Sequence, residues 1–473
     1  MFCQLDRLRR CLSPRIRRAL DELPETLDGT YERTLLDIDD ENWSYAHRLF
    51  QCIVVAQRPL RVEELAEFLA FKSETRGNLT FDGNWRPENP RDTVLSTCSS
   101  LIAIVNVDGS PVMQFSHFSV KEYLTSNRIA QGRVSRYYIP LEQAHLFVTQ
   151  ACLSLLLHLD IRVTKTSIKE LPLARYAGQY WTDHANFGNV SSHTEGLIKR
   201  LFNPRYHHYM NWVWIYNSIS HQSVPSEVPT LSDHKLLHHA AQHGFLRVVE
   251  WLITTHSQDV NVLASWGTPL HIASRNGRLD VVQVLLEHRA DVNAVTVDGW
   301  TPLHFASWLE HPRVARVLLD HGADVDSETT LSETALHLGS ERGNLELVQL
   351  MLDRGANSNA GSRFYKNSLY FALLYDHPGV AQLLLKHGAD PNAHNVDGWT
   401  QLHVASLHGD LKVAQKLLEL GADVNARNNR EETPLLVALN GCDADGNKPH
   451  WVPKQGEREQ VAQLLLQHGA EST

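Results

Sequence analysis

Histidine is the first residue type that could carry chemistry: 27 of the 473 residues, enough to invite a metal reading. His238, His271, His304, His337 and His403 recur at related positions, and His207-His208 and His238-His239 are adjacent pairs. Neighbours in sequence on a helix do not face one ligand, and neither H-E-x-x-H nor a Cys/His ligand spacing occurs. Cysteines at 3, 11, 52, 98, 152 and 442 form no C-x-x-C pair, which reads as reduced thiols. No G-x-S-x-G elbow occurs, and scattered Ser, His and Asp residues make no triad without geometry. Asp443, Asp445 and Asn447 imitate the start of an EF-hand loop. Lys448 stands where that loop requires Gly and Lys454 where it requires Glu, so a solvated loop is expected. A G-x-x-x-x-G-K-[ST] phosphate loop is absent from the sequence. The expectation is no catalysis, no cofactor and no metal.

The histidines make sense once their spacing is read. Thr268-Pro269-Leu270-His271, Thr301-Pro302-Leu303-His304, Thr334-Ala335-Leu336-His337 and Thr400-Gln401-Leu402-His403 are variants of one tetrapeptide with a 33-residue period. Filling the register gives seven units, starting at 235, 268, 301, 334, 367, 400 and 433. Gly322, Gly355, Gly388 and Gly421 keep the same period. Thr268 can cap a helix and Pro269 suits its first position, while Gly277 can end it in a left-handed conformation. Val281, Val282, Leu285 and Leu286 form the stripe of a second helix buried on one side. Neither helix can bury its face alone, so stacked neighbours must supply the core. The unit resembles the ankyrin repeat, and the resemblance covers residues 231–473.

Departures from the pattern are specific. Asn367-Ser368-Leu369-Tyr370 replaces the tetrapeptide in the fifth unit; Asp376 and Glu310 stand where Gly is expected. Gly339 replaces Ala at a cost of about 1 kcal/mol in helix propensity. The last unit carries 15 extra residues, placed in an insert at 439–460.

The first half reads differently. Helices are expected over Asp21–Ile38, Tyr45–Ala56 and from Val62 to Leu69. Leu101–Val105 and Val112–Phe115 flank Asp108-Gly109, a β-hairpin signal. Three helices and a hairpin make a winged helix. Leu23-Pro24-Glu25-Thr26-Leu27-Asp28-Gly29-Thr30-Tyr31-Glu32-Arg33, Arg58-Pro59-Leu60-Arg61-Val62-Glu63-Glu64-Leu65 and Phe115-Ser116-His117-Phe118-Ser119-Val120-Lys121-Glu122-Tyr123-Leu124 resemble the region after the NTPase core of fungal NACHT-type, NOD-like signalling ATPases. Leu173–Trp181, with His184-Ala185, is similar to the helical spacer such proteins carry before their repeats. The resemblance implies a basic helical lead-in over 1–22, a winged-helix-like domain over 23–130, a helical spacer over 131–230 and seven ankyrin repeats over 231–473. It also implies that the chain starts just after the place of the family's NTPase, leaving a NACHT NTPase on another chain as a partner.

The fold class expected is therefore mostly α, with a winged-helix domain and helical spacer before an ankyrin α-solenoid with short β-hairpins. A net charge of −10 argues against nonspecific attraction to nucleic acid or anionic lipid. Arg7, Arg9, Arg10, Arg15, Arg17 and Arg18 form a basic run, read as a solvated helix face in preference to a nucleic-acid patch. The candidate recognition segment Val62–Phe71 carries Glu63, Glu64 and Glu67, which phosphate would repel. No apolar stretch approaches the roughly 20 residues of a membrane span, and the opening residues lack the apolar region of a secretory signal. The expected location is cytoplasmic, or nuclear.

The positive expectation is a protein-binding surface. In ankyrin stacks the concave face is built from the hairpin tips and first helices. Register places Trp300, Trp308, Leu309, Glu333, Glu341, Arg342, Phe364, Lys366, Tyr375, Trp399, Leu407 and His408 there. Exposed large apolar residues, aromatics and Arg are what binding hot spots favour; the alternative is that Trp300 and Trp399 pack across neighbouring hairpins. The function expected is protein recognition in the sensor or scaffold part of a NOD-like fungal signalling protein. The alternatives are a stand-alone ankyrin adaptor or substrate-recruiting subunit, and a winged-helix nuclear DNA-binding regulator.

Overall fold

A computed structural model describes residues 26–73, 79–98, 101–107, 109–159, 170–220, 235–361, 366–395, 397–441 and 455–471. The basic lead-in, Asp108, Phe364 and the insert's residues 442–454 lie outside the described residues. The chain is mostly helical and divides into two compact units, Met1–Leu236 and Leu237–Thr473.

In the first unit, the Thr26 hydroxyl caps the helix Leu27–Leu36 by accepting from the Gly29 N–H at 3.1 Å. Helices Trp43–Val55 and Val62–Glu67 follow, the latter running into a short 3-10 turn, Phe68–Ala70. The hairpin forms between β4, Ile102–Val107, and β5, Ser110–Phe115, with Ile102 opposite Phe115 and Val105 opposite Val112. The edge strand β1, Leu60–Arg61, completes an antiparallel sheet of order β1-β5-β4. Two features were not legible in advance: the three-residue pair β2 (Phe71–Ser73) and β3 (Leu79–Phe81), and the helix Pro90–Cys98.

Helix Val62–Glu67 is an internal element, which corrects the reason given for excluding DNA. Glu64 and Glu67 are buried and do not face outward; only Glu63 does. Glu64 accepts from both Arg58 guanidinium nitrogens at 2.7 Å and from the Arg61 N–H at 2.8 Å. Glu67 pairs with Arg86 at 2.5 Å and accepts from the Leu173 N–H at 2.7 Å. A helix with five of its six residues buried has no face left for a groove.

The division expected at 130/131 is bridged by such contacts. The Gln57 N–H donates to the Tyr176 hydroxyl at 3.1 Å, and Tyr176 in turn meets His184 Nε2 at 2.8 Å. His184 Nδ1 lies 2.9 Å from His145 Nδ1, completing a buried polar chain. His145 lies on helix Leu141–His158, Tyr176 and His184 lie on helix Pro172–Ala185, and that helix packs against His208–Ser220. Gly178 marks the closest approach of the last two: a Cβ there would overlap the Ile215 side chain. Cys52, Cys98 and Cys152 are free and buried in this unit, and burial pushes their thiols up.

The second unit contains seven helix pairs among the described residues. They are Leu236–His243 with Leu246–His256, Pro269–Arg275 with Leu279–Glu287, Pro302–Trp308 with Pro312–Asp320, and Ala335–Arg342 with Leu345–Asp353. Ser368–Leu374 with Pro378–Lys386, Gln401–His408 with Leu411–Glu419, and Pro434–Asn440 with Gln455–Gln467 complete the set. Residues 455–460, expected in the insert's loop, are the first turns of the last helix. In the second helix of the second pair, Val281, Val282 and Leu285 are buried as expected, but Val284 takes the fourth core place and Leu286 is half-buried. The hairpins between units reduce to single bridges, such as Ala264 with Gly267 and His394 with Thr400.

The departures find physical reasons. Glu310 and Asp376 adopt the left-handed conformation meant for Gly, with φ of +58° and +63°. Gly339 leaves room for the Met351 methyl group, which a Cβ would approach to 2.9 Å. With one exception, the loops after the second helices are braced by an asparagine of the unit before. Asn293 Nδ2 donates to the Gly322 carbonyl at 3.2 Å and Asn293 Oδ1 accepts from the Asp324 N–H at 2.9 Å. Asn359, Asn392 and Asn425 repeat this on Gly388, Gly421 and Gly469. Asp326 holds the equivalent place, accepts from the Asn357 N–H at 2.9 Å, and as a carboxylate has no proton for the Gly355 carbonyl. Asp326→Asn should therefore stabilise the repeat unit by about 0.5–1 kcal/mol, one net hydrogen bond. Urea midpoints of the two proteins check this, and an unchanged or lower midpoint would refute the missing-donor account.

Candidate protein-binding face

Five histidines each fix where one inter-unit finger lies. The backbone N–H groups of Thr268, Thr301, Thr334 and Thr400 donate to Nδ1 of His271, His304, His337 and His403 at 3.0–3.2 Å. Nε2 of the same rings meets the carbonyls of Trp300, Glu333, Ala360 and Glu432 at 2.9–3.0 Å. His238 reaches the Gly267 carbonyl likewise at 3.0 Å. An N–H can only donate and a carbonyl can only accept, so each of the four rings with both contacts is neutral with its proton on Nε2. Burial enforces this, pushing His271, His304 and His337 down to about 4 and His403 in the same direction. Among the described residues no three His, Cys, Asp or Glu side chains gather as metal ligands would.

With its carbonyl pinned by His271, Trp300 lies half-buried against Phe305 at 4.9 Å and edge-on to Trp308 at 6.3 Å. The exposed Arg342 guanidinium sits 3.6 Å above the Trp308 ring, a cation–π contact. Leu309 is exposed beside them. Glu333, with its carbonyl held by His304, is half-buried; burial and the Glu341 charge push its carboxyl up.

A second group forms one unit further on. Lys366 stands 5.1 Å from the Tyr370 ring centre, and burial pushes its amine down against the pull of Asp410 and Glu341. The Tyr370 hydroxyl donates to Asp410. Tyr375 is 48% exposed, and burial followed by the Glu341 carboxylate pushes its phenol up. His408 is half-buried and pushed down to about 3 by burial and then by Lys366.

Two of the expected residues are core. Trp399 is 1% and Leu407 6% exposed, so neither is presented to a partner. Trp399 has the register of Trp300, and its burial fits the packing alternative for that residue. Phe364 lies outside the described residues. The sequence reading also passed over Trp266, 64% exposed beneath the Arg275 guanidinium at 5.0 Å, because it sits one place before the Trp300 register. Leu263, Val295, Val297 and Leu331 are further exposed apolar residues on the first fingers. Hydropathy around those turns was the available signal.

The first unit offers a cleft of about 530 Å³ between Arg58–Leu60 and Met113–Phe118. Two of the three stretches that carry the family resemblance line it, and the third touches one of these through the Tyr31 hydroxyl, 2.7 Å from Ser119 Oγ. No helix among the described residues is long and apolar enough to cross a membrane.

Residues 237–329 and 336–428 match the family model described as Ankyrin repeats (3 copies). Over 205 residues the chain is 34% identical to the "Azaphilone pigments biosynthesis cluster protein L" of Monascus ruber. That match covers 42% of this chain and 43% of the relative, so the chain spans less than half of that protein.

Proposed function

Ankyrin repeats are a scaffold for protein–protein interaction, and we propose that the fingers and first helices around Trp300, Trp308, Arg342 and Tyr375 are the surface this chain uses to recognise a protein. The observation that carries the reading is that Leu309, Arg342 and Tyr375 recur 33 residues apart and are all exposed, with the half-buried Trp308 under Arg342. A stack held together by its helices has no need of exposed large side chains at that register, and exposed aromatic and Arg residues are what interface hot spots are made of. In this reading the repeats are the sensor or scaffold part of a NOD-like fungal signalling protein, and the similarity to a fungal protein supports the fungal side of it. The first unit is then a winged-helix-like module with a helical spacer, docking on a NACHT-type NTPase through the exposed Phe118 side of its cleft. The internal use of helix Val62–Glu67 favours this over DNA binding. The setting is cytoplasmic or nuclear.

A photo-crosslinking residue at Tyr375, compared with one at the exposed Arg313 on a second helix, tests the face in cells of the source organism. The expected result is a discrete protein adduct from position 375 and not from 313. Trp308→Ala with Tyr375→Ala should abolish a partner so identified, while lowering Tm by no more than a few degrees, since one residue is half-buried and the other exposed. Equal adducts from both positions, or a large drop in Tm, would assign these residues to the fold alone.

A further inference from the structure

The finger face changes character along the stack. Its first fingers are apolar: Trp266 is 64% exposed and Val297 90%, with Trp300 and Trp308 behind them. The next finger and helix carry Glu333 and Glu341, half-buried and close enough for one carboxylate to disfavour ionisation of the other. Neither is in an ion pair among the described residues; Glu341 meets the Tyr375 hydroxyl and lies within the field of Lys366, which Asp410 shares. Exposed Asp298 and Glu328 on adjoining fingers add to the negative field. The nearby arginines are already seated flat on indoles, Arg275 on Trp266 and Arg342 on Trp308. An apolar patch followed by carboxylates outside any ion pair is complementary to an apolar side chain followed by a cation.

We propose that this face takes an extended partner segment carrying a leucine-sized or aromatic side chain about three residues from an arginine or lysine, the first on Val297 and Trp300, the second at Glu333 and Glu341. The proposal rests on the recognition reading above and gives it a ligand class. The spacing follows from geometry. Adjacent repeats stand about 8–10 Å apart, the packing distance of helices, and a segment in the extended polyproline II conformation rises about 3.1 Å per residue with three residues per turn, which returns every third side chain to the same face. Neighbouring units are thus reached by side chains three positions apart. An acidic peptide would meet like charge.

The test uses the full chain, fluorescently labelled, on arrays of otherwise degenerate nonapeptides. Leu is fixed at one position and Arg is moved one to five places from it; a parallel series has Glu in place of Arg. Retention should peak at a spacing of three, fall at least fivefold at one and five, and drop to background in the Glu series. Glu333→Gln with Glu341→Gln should remove the preference for Arg at least tenfold while keeping the dependence on Leu, with an unchanged helical circular dichroism signal. Equal retention of the Arg and Glu series, or an Arg preference that survives the Gln variants, would overturn the ligand class and leave the recognition reading standing. Failure to retain any peptide also overturns the ligand class; the recognition reading falls separately, on the crosslinks at position 375.

Discussion

Moving this protein from pH 7 to pH 4 should unfold its repeat unit, with the loss of stability falling between about pH 6.5 and 4. Above pH 6.5 the histidines are neutral whether the chain is folded or not, and they add no pH dependence. Below it, the unfolded chain takes up protons that the folded chain refuses, because His271, His304 and His337 titrate only at about 4 in the fold. Stability therefore falls as pH falls, and levels off once the folded rings protonate as well. Each ring contributes about 3 kcal/mol over that window. Three together approach the whole stability of an ordinary domain, about 5–15 kcal/mol. In the first unit His145 and His184, pushed down to about 4 and about 3, act in the same direction. Urea midpoints at pH 7, 6 and 5 measure the slope. A midpoint constant over that range would sink the account. His304→Gln, which keeps an acceptor and a donor without a titrating ring, should remove one proton from the dependence.

The second large effect belongs to Arg58. Its guanidinium grips the Glu64 carboxylate with two bonds of 2.7 Å, and the Glu64 side chain is almost wholly buried. Tyr176 and Tyr180 flank the guanidinium at 5.3 and 5.8 Å, so the pair also ties the sheet's edge to the helix Pro172–Ala185. Arg58→Ala strands a buried carboxylate with only the Arg61 N–H to satisfy it, and should cost about 3–5 kcal/mol. Adding Glu64→Gln removes the charge and should recover more than half of the loss. Denaturation of the single and double variants decides it: a single variant within about 1 kcal/mol of wild type would show that the charge finds water or another partner.

Much of this architecture could be read from residue spacing, because stacking imposes one register on every unit. Thr, His and Gly recur where a cap, a tie and a left-handed turn are needed. The surface was less legible. Trp300 and Trp399 share a register, yet one is half-exposed and the other buried, because Phe305 stands under the first and the smaller Val404 at the matching place of the second. Leu407 shares the register of Trp308 but is too short to clear its neighbours. Such differences depend on how side chains of unlike size pack, which a shared register does not specify. In the first half the helices and the hairpin were visible as patterns. The buried roles of Glu64 and Glu67 were not, since the Glu67 partners Arg86 and Leu173 lie far along the chain.

The histidine ties run one way. Each ring takes its proton acceptor from the finger ahead of it, so a unit's fingertip inherits its position from its predecessor. Damage to the His271 ring should displace Trp300, whereas damage at Trp300 leaves the earlier finger where it was. Tyr370, which sends its hydroxyl to Asp410 and no ring nitrogen to the next finger, interrupts this descent. Positional errors passed along the ring ties of the first four units should consequently fade there, and beyond it position is carried onward by the asparagine braces, Asn359 on Gly388 and Asn392 on Gly421.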